Sequence, residues 1–222
     1  MSTPPMKTAF DLTYVEYHEG DIIGFLSAGV SLAPVFAIVA YVSVILARRE
    51  IITIAALAGQ LGNTILNVVI KKIIDAPRPD GTHLSGPGMP SNHSQFVFFT
   101  ATFWSLHILN KNAVHIFSRA PQYGNAARLI VSAGLYFMAF AVAFSRVYLD
   151  YHFAGQVFVG STLGILIGGV WYKIVQHILL PLFRKHFADS FWCRFMLIRD
   201  SHHVPDILQL EYHTTRKFKS RK

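Results

Sequence analysis

Five apolar runs, each about as long as a bilayer is thick, set the limits on what this 222-residue chain can fold into. A helix needs roughly 20 apolar residues to cross the hydrocarbon core. The runs are residues 22–47, 51–70, 93–109, 127–144 and 153–178. In lipid every backbone N–H and C=O must be satisfied internally, which a helix does within one segment. The expectation is an all-α integral membrane protein, a helical bundle of about five transmembrane helices. Composition agrees, with 52% apolar residues and only 14% charged, against about 25% charged in soluble domains. The third run is the shortest and carries Ser105 and His107.

The net charge of +8 does not indicate nucleic acid, because the chain offers no soluble face for a basic-aromatic patch. The basic residues instead flank the apolar runs or lie in the tail, as a membrane surface favours. With five spans, Arg48, Arg49, the loop holding Lys111, Arg119 and Arg128, and the terminal KFKSRK share one side. By the positive-inside rule that side is cytosolic. Asp11, Glu16, Glu19 and Asp21 then face the outside or a lumen. The chain divides into a lumenal N-terminal segment (1–20), a membrane core (21–178) and a basic cytosolic tail (179–222). The N-terminal stretch has no signal-peptide core, and the lone Cys193 excludes an internal disulfide.

Within the tail, Phe183, Phe187, Phe191 and Phe195 recur every fourth residue beside Arg184, Lys185, Arg194 and Arg199. That pattern suits an amphipathic helix in the cytosolic interface, or equally a short helix packed on the end of the bundle. It is not a sixth span.

Polar residues inside the spans follow helical spacing. Gln60, Thr64, Asn67 and Lys71 share one face of the second run. Such a stripe is costly against lipid and turns inward, leading up to Lys71. In the fifth run His152, Gln156, Gly160, Gly164 and Gly168 fall four residues apart. The glycines permit close approach of a second helix, which directs Gln156 and His152 at neighbouring helices.

Three polar clusters interrupt the spans, and five alternating spans bring all three to one side of the membrane. KKIIDAPRPDG supplies Lys71 and Arg78; GMPSNHSQ supplies Ser91, Asn92 and His93; SRVYLDYHFAGQ supplies Ser145, Arg146, His152 and Gln156. Lys71, Arg78 and Arg146 are cations suited to phosphate. Backbone N–H groups where the third span starts, around Asn92 and His93, add an anion site. Two histidines on different helices can divide phosphoryl transfer, one attacking phosphorus and the other protonating the leaving group. Positioning and positive charge are what that chemistry mainly needs, so no metal or other cofactor is expected. Taken singly, each cation reads as a snorkelling anchor; their convergence does not.

These clusters, Lys71-x6-Arg78-Pro79, Pro90-Ser91-Asn92-His93 and Ser145-Arg146-x5-His152, resemble the three-part signature of the type 2 phosphatidic acid phosphatase superfamily. The resemblance implies that superfamily's helical core and a metal-independent phosphatase with a phosphohistidine intermediate. It implies His152 as nucleophile and His93 as general acid, with Lys71, Arg78, Ser91, the Asn92 backbone and Arg146 binding phosphate. The wording GMPSNHSQF and SRVYLDYHFAGQV is most similar to the branch acting on polyprenyl (dolichyl) diphosphate. That branch works at the lumenal face of the endoplasmic reticulum membrane and recycles the lipid carrier of protein N-glycosylation. Other expected substrates of the superfamily are lysophosphatidate, sphingoid-base phosphates and undecaprenyl diphosphate. A reading from a different class is a non-catalytic membrane anion or lipid-binding protein.

Two positions depart from the signature. Asn92 stands where a glycine is usual, and Gln156 where an acid is usual. At i+4 on a helix, Gln156 reaches the His152 ring. Its carbonyl oxygen can accept from Nδ1–H and leave Nε2 free to attack, but it adds no negative charge. Asp150 lies on a different face and does not substitute. Asn92-His93-Ser94 is formally a glycosylation sequon, expected to stay unmodified because it opens a membrane helix.

Overall fold

A computed structural model describes residues 14–80, 82, 85–110, 121–201, 204 and 207–219. Asp11, Lys111, Arg119 and residues 220–222, which enter the charge pattern, lie outside the described residues. Among the described residues the structure is helical, and its only strand-like pairing is an isolated bridge between Glu50 and Arg199.

The first span is broken once. Helix α1 (Ile22–Ser31) and helix α2 (Ala33–Arg48) meet at Leu32. Pro34 falls in the first turn of α2, where its missing N–H costs nothing. A tight turn through Arg49 and Glu50 leads to α3 (Ile51–Ile74), and α4 (Asn92–Leu109), α5 (Pro121–Tyr148) and α6 (Ala154–Ile174) follow. Four stretches are long and apolar enough to span by composition alone: Ile22–Arg48, Ile51–Ile74, Gly124–Tyr148 and Ala154–Phe187. The remaining expected span, α4, is the shortest and the most enclosed. It packs on α2, α3, α5 and α6, so its polar residues face protein rather than lipid. Phe98, Phe99 and Phe103 of α4 are almost wholly buried.

Burial is inverted relative to a soluble protein, as a bilayer solvent requires. Phe36, Leu61, Ile65, Phe137 and Phe158 point outward, while Gln60, Asn63, Asn67 and Gln95 are enclosed. The glycine line of α6 sits on α4 as its spacing predicts. A Cβ on Gly160 would lie 2.5 Å from the Ser91 carbonyl oxygen, and one on Gly168 would lie 2.9 Å from that of Phe99. Gly164 faces the Gln95 carbonyl between them. The three glycines thus seat α6 on three successive turns of α4.

The fifth span runs on beyond residue 178. Two π-helical turns, Val175–Leu179 and Phe183–Phe187, carry it without a break to Phe187. The phenylalanine series is therefore divided. Phe183 is a buried residue of the span. Phe191 and Phe195 belong to a separate short helix, Phe191–Met196, capped by Ser190 accepting from the Cys193 N–H. A continued span and an interfacial helix share one periodicity, so spacing alone does not separate them.

The two ends of the bundle differ. At one end the C-termini of α3 and α5 meet the N-termini of α4 and α6. The N-terminal segment joins them there: the Glu16 N–H donates to Tyr151 Oη at 2.9 Å, and Tyr148 Oη donates to Asp21. At the other end the α2–α3 turn is strapped by the C-terminal segment, with Arg199 Nε donating to Glu50 Oε1 at 2.9 Å.

Candidate active site

The three clusters converge where α3, α4, α5 and α6 meet. Lys71, in the last turn of α3, donates from Nζ to the Pro87 carbonyl at 3.0 Å. Arg78, on the connection to α4, donates from Nε to the Gly86 carbonyl (3.2 Å) and from Nη1 to the Tyr151 carbonyl (3.1 Å). Its Nη1 also lies 3.4 Å from His152 Nε2. Burial holds the Arg78 pKa below its ordinary value. Arg146, in the last turn of α5, is 3% exposed, and its guanidinium sits 4.1 Å over the Tyr151 ring. Its Nε is buried with no hydrogen-bond partner. No ion pair among the described residues neutralises Lys71, Arg78 or Arg146, so the positive charge is left for an anion.

Ser91 stands at the N-cap position of α4 and is fully buried, and its N–H donates to the backbone carbonyl of Gln156 at 3.1 Å. The N–H groups of Asn92 and His93 follow in the first turn, where a helix has no internal acceptors for them. His93 is half-buried, and Arg146, His152, Lys71 and Arg78 all lie close enough to act on its charge.

His152 does not start α6, contrary to the expected helical pairing with Gln156. It occupies the bend before Phe153, the N-cap, and α6 begins at Ala154. The Arg146 carbonyl holds that bend by accepting from both the Tyr151 and His152 N–H groups at 3.1 Å. Contact with Gln156 forms nonetheless, with His152 Nδ1 3.0 Å from Gln156 Oε1.

Two groups of fixed polarity settle the hydrogen positions. Gln156 Nε2 lies 2.6 Å from the Pro77 carbonyl, which only accepts. That makes Oε1 the acceptor facing His152, so Nδ1 carries the proton. On the other side of the ring the Arg78 guanidinium only donates, so Nε2 carries the lone pair. Burial, aided by the positive charges of Arg78, Arg146 and Lys71 and opposed by the Gln156 hydrogen bond, lowers the His152 pKa to about 3. The imidazole is therefore neutral at physiological pH, with its free nitrogen among the cations.

The polar stripe of α3 is met across the helix interface by Gln95 and Thr100 of α4, and is joined by Asn63, three residues that the spacing of the stripe does not mark. Asn67 Nδ2 donates to Gln95 Oε1 at 2.7 Å and to the Pro90 carbonyl at 3.4 Å, tying α3 to the turn before Ser91. Gln95 Nε2 donates in turn to Asn63 Oδ1 at 2.7 Å. Gln60 Oε1 accepts from Thr100 at 3.0 Å. The expected stripe needs one correction: Thr64 bonds only the Gln60 carbonyl of its own helix, and Asn63 takes its place in the cross-helix network. Asp150 lies in the exposed turn before the site at φ 54° and takes no part in the chain of bonds through His152. Among the described residues no three His, Cys, Asp or Glu side chains gather as a metal site.

A model of the PAP2 superfamily matches residues 51–179, from the start of α3 through the first π turn. The chain is 38% identical to mouse dolichyldiphosphatase 1, over 97% of this chain and 91% of that one. It is 34% identical to lipid phosphate phosphatase gamma of Arabidopsis thaliana, over 96% and 93%. A solved transmembrane PAP2-type phosphatidylglycerolphosphate phosphatase from Bacillus subtilis shares the fold. It has a TM-score of 0.57 and 21% identity, over 70% of this chain and 78% of that one.

Proposed function

Because this chain belongs to the PAP2 superfamily, we propose that it hydrolyses a polyprenyl diphosphate of the dolichyl type, releasing phosphate and leaving the lipid monophosphate. The observation that carries the reading is the ordered series from the Pro77 carbonyl through Gln156 and His152 to Arg78, which presents an unprotonated Nε2 to a cationic pocket. The names of the mouse and Arabidopsis relatives support a phosphorylated lipid as substrate.

In the first step His152 Nε2 attacks the terminal phosphorus. A P–N bond forms and the bridging P–O bond breaks, while His93 gives its proton to the departing lipid monophosphate. In the second step His93 takes a proton from water, whose oxygen attacks the phosphohistidine. The P–N bond breaks, phosphate leaves, and Nε2 recovers its lone pair. Lys71, Arg78, Arg146 and Ser91, with the backbone N–H of Asn92, hold the phosphoryl oxygens. They supply the charge stabilisation that a metal provides elsewhere. Arg78 transfers its Nη1 contact from Nε2 to the phosphate as the substrate enters. Gln156 orients His152 without adding charge. A diphosphate expels a phosphate monoester, a better leaving group than an alkoxide, and so demands less of the nucleophile.

A layout of a lumenal N-terminal segment, a membrane core and a basic cytosolic tail is consistent with this reading: residues 14–20 lie on the site side, and the described part of the segment after Phe187 lies at the far end. Arg48 and Arg49 support assigning that far end to the cytosol. The site then opens into the lumen of the endoplasmic reticulum, where the reaction recycles the carrier for protein N-glycosylation. The test is phosphate release from dolichyl diphosphate by the purified protein and His152→Ala, each with and without chelator. Wild type turns over with chelator present, and His152→Ala falls by at least about 100-fold. Equal rates for the two proteins would sink the reading.

The Arabidopsis relative's name favours a second reading, in which a lipid monophosphate is the substrate. A panel of lipid monophosphates beside dolichyl diphosphate separates the two by kcat/KM.

A further inference from the structure

At the opposite end of the bundle from His152 lies a second cationic cavity, which the phosphatase chemistry does not use. Its walls come from the α2–α3 turn, the Phe191–Met196 helix, the strand-like segment at Arg199, and Glu211 of the Ile207–Lys219 helix. Four arginines line it, Arg48, Arg49, Arg194 and Arg199, against one glutamate, Glu211. The volume is about 550 Å³, enough for a phosphorylated headgroup.

The charges are unevenly paired. Glu211 Oε1 is shared between Arg48 (2.5 Å) and Arg199 (3.3 Å), and Arg199 also reaches Glu50. These contacts fix two guanidinium groups in the wall. Arg49 has no ion pair among the described residues. Arg194 meets only Asp189, at 3.4 Å, with both side chains mostly exposed, a contact that water largely screens. Arg49 is held in place by its backbone: it takes the left-handed conformation (φ 55°) that ends α2, and its carbonyl accepts from the Arg199 N–H at 3.1 Å. Two guanidinium forks thus remain available beside two that are committed.

The cavity is bordered by a greasy face. Phe191, Trp192, Phe195 and Met196 are each more than half exposed on the short helix. Leu197, 63% exposed, belongs both to that face and to the cavity wall. Aromatic side chains next to arginines at the end of a bundle mark the depth of lipid headgroups. Guanidinium forks match phosphate oxygens in pairs.

We infer that this cavity binds the phosphate headgroup of an anionic phospholipid from the leaflet at that end, with Arg49 and Arg194 as the principal contacts. The lipid's chains lie along Trp192, Phe195 and Leu197, so its binding fastens the C-terminal segment to the α2–α3 turn. This site is separate from the proposed reaction and does not depend on it.

The test is thermal unfolding of the full-length protein in detergent, titrated with phosphatidylinositol, phosphatidylcholine or inorganic phosphate. At about tenfold its dissociation constant, phosphatidylinositol raises the midpoint by about 3–5 °C, and phosphatidylcholine does not. Arg49→Gln/Arg194→Gln loses that increment while keeping the wild-type midpoint without lipid and unchanged phosphate release. Native mass spectrometry then finds phosphatidylinositol retained on wild type and absent from the variant. An equal increment in the variant would overturn the proposal, and so would an equal increment with phosphatidylcholine. Inorganic phosphate alone reproducing the full effect would reduce the cavity to a simple anion site and overturn the lipid assignment.

Discussion

Gln156 donates from Nε2 to the Pro77 carbonyl at 2.6 Å, and this contact decides what the other end of the amide can do. With Nε2 committed to a carbonyl, Oε1 faces His152 Nδ1 at 3.0 Å as an acceptor. A carboxylate at this position would set an acceptor against the Pro77 oxygen. The amide is therefore matched to its surroundings and is more than an uncharged stand-in for an acid.

The consequence is that neither removing nor charging this side chain is tolerated. Gln156→Ala frees the His152 ring, and Gln156→Glu loses the bond to Pro77 and places charge against a carbonyl. Each lowers kcat on a lipid diphosphate by roughly 10- to 100-fold, in line with misplacement of a reacting group. Assaying both on a monophosphate as well shows whether the added charge favours the poorer leaving group. Full diphosphatase activity in Gln156→Ala would remove the orienting role.

Helix seating makes a second expectation. Gly160→Ala drives a Cβ into the Ser91 carbonyl, a backbone atom that cannot swing aside. The expected loss is about 1–3 kcal/mol, read as a lower unfolding midpoint, together with a raised KM because Ser91 is part of the proposed phosphate turn. Gly169→Ala is the control on the same helix, since nothing lies within 4 Å of its added Cβ; it leaves KM unchanged and holds or slightly raises the midpoint. An equal loss in the two variants would show that the α4–α6 contact is not what the Gly160 substitution disturbs.

What was legible in the sequence was what depends on local spacing. Gly160, Gly164 and Gly168 face α4 because a four-residue repeat stays on one face of any helix. Lys71, Arg78, His93, Arg146 and His152 meet because five alternating spans bring their clusters to one end. The Gln156–Pro77 and Asn67–Pro90 bonds were not legible, since each depends on how the connection from α3 to α4 folds back. The start of α6 after His152 is not legible either, because Phe153 carries none of the side-chain oxygens that mark an N-cap in sequence. Asn63, and not Thr64, bonds across to α4 because ideal periodicity does not say which of two adjacent polar residues meets the neighbouring helix.

Acid should destabilise the protein partly through His152. Its pKa is near 6.5 when unfolded and about 3 when folded, so below pH 6.5 the unfolded chain binds a proton that the folded one refuses. This contribution is intact above pH 6.5. It is lost as pH falls towards 3, with a slope of at most about 1.4 kcal/mol per pH unit. Between pH 7.5 and 4 the unfolding midpoint of wild type should fall more steeply than that of His152→Gln. Parallel curves would mean that His152 charges as readily in the folded protein as in the unfolded chain.

The last expectation concerns Asn67, which reaches the site only through the turn it holds. Its Nδ2 serves both Gln95 Oε1 and the Pro90 carbonyl, and the residue is fully buried. Asn67→Ala leaves two buried acceptors without that donor, costing about 1–3 kcal/mol, and lets the Ser91–Asn92 turn drift from the cations. Asn67→Asp is worse than alanine, because it sets a carboxylate against the same two oxygens inside the membrane. If Asn67 acts by positioning that turn, Asn67→Ala raises KM more than it lowers kcat, because His152 is held independently by Gln156 and the Arg146 carbonyl. Steady-state kinetics on a lipid diphosphate, with the unfolding midpoint measured alongside, reads both effects. A fall in kcat alone, with KM unchanged, would place Asn67 in the support of His152 and not of the phosphate turn.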